Sequence, residues 1–229
     1  MGSTDEMTGR ASTPLLRPGP GGLSRRRVAA IQRARILVAA TDVLEEAGYS
    51  GMTVAQVIGR AKVSRKTFYD LFADRQDCFL EVLEETIVRI RGRVEEAYAR
   101  ESRWRDGVRS GLAGLLGFLE EEPALARICL VEAQGAGMKA LERRARIFEE
   151  LADVVDRGRS ATSVAREPPE ITAEGIVGAV FVVLQTRLFE RNDEPFMELL
   201  SPLMSMVVLP YLGARAAHTE LARRAEKTA

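Results

Sequence analysis

The sequence predicts an all-α protein: three small helices, a long connecting helix, then a bundle of about five. Three observations carry this. Apolar residues recur at helical spacing from Ser24 onward. Period-2 alternation is absent at useful length, so no strand is expected. Proline and glycine fall at intervals that cut the remainder into helix-sized pieces, at Pro123, at 135–137, at Pro168-Pro169 and at 192–195.

Residues 1–23 hold Pro14, Pro18, Pro20 and a Gly-Gly pair, the composition of a mobile arm. Ser24 offers an N-cap for a first helix with Ile36, Ala40, Val43, Leu44 and Ala47 on one side, and Gly48 is its stop signal. Thr53 caps a second helix, with Val54, Val57 and Ile58 inward, ending near Ala61. Ser64 caps a third that ends around Leu71. Asp74 caps the long helix, whose stripe is Phe79, Val82, Leu83, Thr86, Ile87, Ile90 and Val94. It reaches about Glu101, roughly 40 Å at 1.5 Å per residue. Further helices are expected near 104–121, 124–133, 137–160, 172–191 and 196–213, followed by a polar tail over 214–229.

With 229 residues, 46% of them hydrophobic, the chain can bury one sizeable core or two joined ones. Its longest apolar run, Ile176 to Leu184, is far below the ~20 residues of a bilayer span, so no membrane helix is expected. The N-terminus lacks the order of a signal peptide, and Cys78 and Cys129 have no metal-ligand spacing. A reducing cytoplasm is the expected location.

The net charge of zero conceals an asymmetry: residues 1–75 hold 12 Lys+Arg against 7 Asp+Glu, and residues 76–229 hold 21 against 26. A basic end on an acidic body suits contact with a polyanion, although a solvated charged face has similar counts.

The basic part contains "MTVAQVIGRAKVSRKTFYDLFADRQDCF", in which a helix, a tight turn at Lys62-Val63 and a helix opening at Ser64 have the layout of a helix-turn-helix. In that motif the second helix enters the DNA major groove by its N-terminal residues. Here these are Arg65, Lys66 and Thr67, with Tyr69 one turn on. Arg65 and Lys66 can hydrogen-bond guanine or phosphate, Thr67 a phosphate or a thymine methyl, and the Tyr69 hydroxyl a phosphate. Phe68, Leu71 and Phe72 fall on the opposite, core side. The competing reading is a helical hairpin whose cations only solvate one face. Arg17, Arg25, Arg26, Arg27, Arg33 and Arg35 add charge ahead of the motif, and Arg25, Arg26 and Arg27 are the candidates for DNA contact there.

The stretch "TVAQVIGRAKVSRKTFYDLFADRQDCF" resembles the DNA-binding signature of the TetR family of transcriptional regulators, and "GLSRRRVAAIQRARILVAATDVLEEAGY" resembles the helix before it. The match covers about residues 24–80. The resemblance implies an Ω-shaped homodimer on a pseudo-palindromic duplex operator, a DNA-binding domain over 24–73, a ligand-binding and dimerisation domain over 74–213, and in most members repression relieved by a small molecule. It places Thr53, Ser64, Thr67, Tyr69 and Arg75 near phosphates. Two positions depart from the family pattern: Lys62 stands where the turn usually has glycine, so a left-handed side-chain-bearing residue is expected at about 1 kcal/mol, and Ile58 stands where alanine is common.

In the body, Trp104, Val108, Leu112, Leu115, Leu116, Phe118 and Leu119 point inward from one helix, while Gly111, Gly114 and Gly117 leave room for close helix approach or a ligand. Trp104, Val108, Leu112, Leu115 and Phe118 with Ile128, Phe148 and Phe181 are the candidate lining of an apolar effector cavity; a filled core is the alternative. Residues 176–184 and "PLMSMVVLPYLG" are apolar on nearly all sides, which calls for burial on all sides. A partner subunit could cover them through Val180, Val183, Leu184, Arg187, Leu203, Met206, Val207 and Pro210, or the chain could bury them itself. The resemblance implies the former, a four-helix dimer contact.

An enzyme is the rival class and lacks parts: His218 is the only histidine, neither cysteine has a nearby base, and Glu120 to Glu122 form a solvated run. No catalytic residue, metal or cofactor is expected. A DNA-binding protein without a ligand is the other alternative.

Overall fold

The computed structural model describes residues 24–161, 164, 167–190 and 194–223. The expected arm over 1–23, with Arg17, and the last residues of the expected tail, 224–229, lie outside it. The described residues form nine α-helices and no strand: α1 Arg25–Gly51, α2 Val54–Ala61, α3 Arg65–Leu71, α4 Arg75–Ala99, α5 Trp104–Glu121, α6 Pro123–Leu130, α7 Met138–Asp156, α8 Thr172–Glu190 and α9 Leu200–Ala222. Short 3-10 turns sit at Glu132–Ala136, Arg157–Ala161 and Phe196–Leu199.

The four expected N-caps form. Ser24, Thr53, Ser64 and Asp74 accept from the backbone N–H groups of Arg27, Gln56, Thr67 and Asp77, satisfying donors that a helix start leaves orphaned. Thr53 and Gln56 also close a reciprocal capping box. Gly48 breaks α1 at φ 65°, in the left-handed region where only glycine is unstrained, and the chain turns there toward α2.

α1, α2 and α3 close on a small core of Ile36, Ala40, Val57 and Phe68, completed by Phe79 from α4. The Tyr49 and Phe79 rings meet edge to face at 4.7 Å. α4 therefore belongs to both halves of the molecule: its first turns finish the N-terminal core and its middle enters the body. There α5 packs closely against it. A Cβ at Gly107, Gly111 or Gly114 would come within 3.0 Å of Tyr98, 3.4 Å of Val94 and 3.3 Å of the Arg93 carbonyl oxygen, so these glycines permit the approach. Gly117 faces open space instead.

Several helix ends differ from expectation: the helix expected over 124–133 stops at Leu130, and the one expected over 196–213 opens as the 3-10 turn Phe196–Leu199 before α9. The helix expected over 137–160 stops at Asp156 and tightens into a 3-10 turn. The polar tail expected after Gly213 is helical through Ala222: Gly213, at φ 78°, redirects α9, and Glu220 is then fully buried. Periodic apolar spacing fades after Gly213, which is why the sequence reads as a tail. The anchor is a buried charge cluster, with Arg105 and Arg109 of α5 both donating to the Glu220 carboxylate.

α8 and the segment Phe196–Ala222 are long and apolar enough, by length and composition alone, to cross a membrane. Each buries one side in the bundle. Leu184 and Leu188 of α8 and Leu203, Met204, Val207 and Val208 of α9 are core residues.

Candidate DNA-binding face and effector cavity

α3 displays its cations because its other side is fully committed. Phe68 is completely buried and stacks against Phe72 with ring centroids 5.4 Å apart. A helix turns 100° per residue, so Arg65, Lys66 and Tyr69 are left in solvent, with Thr67 at the margin. The Arg65 guanidinium lies 5.7 Å from the Tyr69 ring centroid, so the two present one cationic, aromatic surface. The Ser64 and Thr67 hydroxyls are 2.8 Å apart, and Ser64 Oγ accepts the Thr67 N–H at 3.0 Å.

Between α2 and α3, Lys62 adopts φ 51° and ψ 48°, the left-handed turn expected of a residue at this position. It is the one non-glycine residue with positive φ among those described. Its strain is offset by Arg35, whose Nη2 donates to the Ala61 carbonyl at 2.6 Å and caps the end of α2.

That bond also redistributes the basic residues read from the sequence. Arg25, Arg26 and Arg27 are exposed at the start of α1. Arg33, by contrast, pairs with Glu81 and lies 5.6 Å from the Phe72 ring centroid, and Arg35 is the α2 cap. Arg75, expected near a phosphate, also has partners within the chain. Its Nη1 donates to the Met52 carbonyl at 2.8 Å and its guanidinium stacks 4.9 Å from the Tyr49 ring centroid, because the turn after Gly48 leaves carbonyls that need a donor. Thr53, exposed, is engaged in its capping box.

The body contains an apolar cavity of about 270 Å3. α4 supplies Leu83, Ile87, Ile90, Val94 and Tyr98, one helical stripe at spacings of three and four. α5 supplies Val108, Gly111, Leu112 and Leu115; α7 supplies Ile147, Phe148 and Leu151; α8 supplies Ile176, Val177, Val180, Phe181 and Leu184. Phe148 and Phe181 meet edge to face at 4.9 Å.

Of the lining expected from the sequence, Val108, Leu112, Leu115, Phe148 and Phe181 reach the cavity. Trp104, Phe118 and Ile128 do not. Trp104 is held outside by its Nε1 donating to the Val154 carbonyl at 3.0 Å and by close packing on Gly158 and Tyr211. Phe118 and Ile128 are buried in the core. Leu83, Ile87, Ile90 and Val94 of α4 were visible as part of a stripe in the sequence, which ended before Tyr98, but a stripe does not distinguish packing from lining. Cys129 and Leu130 of α6 had no sequence signal.

The expected subunit-contact residues also divide. Leu184, Leu203 and Val207 are buried within the chain, and Val180, Leu184 and Val207 border the cavity. Val183, Met206 and Pro210 are half-buried, and Arg187 bonds Glu194. The apolar surface left outside lies one or two positions away: Val182 at 57%, Phe189 at 73% and Leu209 at 48% exposed. One residue is 100° of helix, enough to exchange an inner for an outer face.

Residues 36–82 match the family model for bacterial regulatory proteins of the tetR family. They are a TetR-family DNA-binding domain. The match runs from the buried Ile36 of α1 through α2 and α3 to Val82 of α4, the whole unit described above. No curated protein matches the chain. Among solved structures, the fatty acid degradation regulator FadR from Bacillus halodurans superposes with a TM-score of 0.68 at 17% identity, over 77% of this chain and 94% of that one. FadR from Bacillus subtilis in complex with stearoyl-CoA has a TM-score of 0.67 at 17% identity, over 76% and 97%. A TetR family transcription regulator from Marinobacter aquaeolei VT8 has a TM-score of 0.63 at 18% identity, over 80% and 96%. The TetR-family domain is thus followed by a body whose fold is also that of these regulators.

Proposed function

We propose that the chain is a cytoplasmic, non-enzymatic transcriptional regulator, working as a homodimer, that binds a pseudo-palindromic duplex operator and loses affinity for it when a small apolar or amphipathic effector enters the body. Residues 24–73 are the DNA-binding domain and residues from 74 onward the effector and dimer domain. The observation that carries the reading is that α4 follows α3 after only Phe72, Ala73 and Asp74, shares a core with it through Phe79 and Phe68, and lines the cavity along its middle. A change in cavity occupancy that shifts α4 is passed to α3 through this short connection and shared core.

Arg65, Lys66, Thr67 and Tyr69 read and hold DNA, while Arg25, Arg26 and Arg27 neutralise flanking phosphates. In a dimer the two α3 helices enter successive major grooves, about 34–36 Å apart. The exposed line Val182, Thr186 and Phe189 on α8 with Leu209 on α9 is the subunit contact, bordered by Val183, Met206 and Pro210. The stearoyl-CoA bound to the similarly folded Bacillus subtilis protein supports an effector with an apolar chain.

The test is to retain genomic fragments on the purified protein, sequence them, and titrate salt against a retained and a scrambled fragment. Sequence preference and a steep loss of affinity with salt are expected. Equal affinities or a flat slope would overturn DNA reading; a retained fragment that no apolar compound releases would leave a DNA binder without an effector.

A further inference from the structure

The cavity wall carries few polar groups, and they are not equivalent. Arg91 and Glu150 satisfy each other, Nη2 to Oε2 at 2.6 Å, and both are exposed. Glu95 is exposed at the same end of α4. Arg144 is half-buried, and its guanidinium carbon lies 5.8 Å and 5.5 Å from the ring centroids of Phe148 and Phe181, two residues of the cavity wall. It has no ion-pair partner among the described residues, whereas its neighbour Arg143 pairs with Glu84. An unpaired guanidinium held against two aromatic faces keeps its hydrogen-bonding fork free while losing part of its water. That fork matches two oxygens of a carboxylate or phosphate.

We infer that the effector is an amphipathic anion whose alkyl or acyl chain fills the cavity between α4, α5, α7 and α8 and whose anionic head is held by Arg144. This rests on the effector reading above and adds the sign and place of the charge. At about 30 Å3 for each water-sized group, 270 Å3 holds about nine, the length of a medium chain. A carboxylate belonging to a free acid and a phosphate belonging to a carrier ester share this chemistry. An ammonium head would be repelled by Arg144, and a hydroxyl head would leave it unpaired.

The experiment measures binding of decanoate, decanol, decylamine and decanoyl-CoA to the full chain by calorimetry. Decanoate or decanoyl-CoA is expected to bind at least about tenfold tighter than decanol, with decylamine weakest. Arg144→Gln should bring the anion down to the level of decanol, leave decanol within about twofold, and so show that the cavity is intact. Arg144→Lys should keep part of the preference. Loss of decanoate binding in Arg144→Gln assigns a carboxylate head, and loss confined to decanoyl-CoA assigns a phosphate head. Equal affinities for all four compounds overturn the inference, as does a preference for the anion that is unchanged in Arg144→Gln. In either case decanol that binds and releases DNA leaves the effector reading standing. If none of the four binds, the inference falls, and operator binding through α3 is unaffected.

Discussion

The backbone N–H of Tyr49 donates to Glu132 Oε2 at 2.8 Å, joining the DNA-binding domain to a 3-10 turn that follows the cavity-lining residues Cys129 and Leu130. The same carboxylate packs on Gly48, where an added Cβ would come within 2.9 Å of it. Four residues on, the Ala136 carbonyl accepts from Gln76 Nε2 at 2.6 Å. The body thus grips the DNA-binding domain at the end of α1 and the start of α4, beside the Arg75 bond to Met52. This contact gives a cavity a second route to α3, in addition to α4.

Glu132→Ala removes the acceptor while leaving both the cavity wall and α3 untouched. Operator and effector should each still bind, but the factor by which effector weakens DNA binding should shrink, toward the low end of the 5–150-fold typical of such coupling. Glu132→Gln retains an oxygen that can accept from Tyr49 and should behave close to the native chain. Fluorescence anisotropy of labelled operator with and without effector separates the cases. An undiminished factor in Glu132→Ala would show that α4 carries the signal alone.

Val182→Glu with Leu209→Glu charges the outer faces of α8 and α9 without entering the core. Sedimentation should show helical monomers with much weaker operator binding, since a carboxylate in a desolvated contact costs several kcal/mol unless protonated. Val207→Glu should behave differently and unfold the body, because Val207 is buried inside one chain. A double variant that stays dimeric with native affinity means the contact lies elsewhere.

Glu220 is 0% exposed and faces Arg105 and Arg109, which are 28% and 13% exposed. Removing the acid strands two cations at a buried junction. Glu220→Ala is expected to destabilise the chain by about 3 kcal/mol, the low end for a broken buried pair because the arginines keep some water. Urea unfolding measures this. A loss below about 1 kcal/mol would mean that the last turns of α9 are not anchored by this cluster.

Cys129 lines the cavity, and burial pushes its thiol up to about 12. The thiolate is the reactive form, so at pH 8 only roughly one thiol in ten thousand is ready to react. Alkylation by a small reagent should be slow and rise about tenfold per pH unit while the fold persists. Bound effector should protect Cys129 further. Cys78, also raised to about 12 by burial and away from the cavity, should show no effector protection. Mass spectrometry of the two peptides reads both, and equal protection of the two cysteines would point to global tightening rather than cavity occupancy.

The exposed cationic face of α3 was legible in the sequence because its determinants are local. An N-cap, its helix and the residue that ends it lie within ten positions, so Thr53, Ser64 and Asp74 mark helix starts and Lys62 marks the left-handed turn without reference to the rest of the chain. What α3 shows to solvent follows from burying Phe68. What the sequence could not show are the long-range partners of Arg33, Arg35 and Arg75, which come from other elements.

By itself the sequence determined the helices, their order, the capped starts of the first four and the exposed cations of α3, all of which depend on spacing and on neighbours a few residues away. Tertiary structure decided which apolar residues face a cavity, a core or the outside. Leu112 and Phe118 are equally apolar and lie on one helix, yet one lines the cavity and the other is packed solid. Val182 and Val183 differ by one step, yet the first is exposed and the second half-buried. Hydrophobic burial is non-directional, so composition says that a side chain leaves water but not what it meets. That is settled where helices cross, as at Gly111 and Gly114 against α4, and where distant charges converge, as Glu220 does on Arg105 and Arg109.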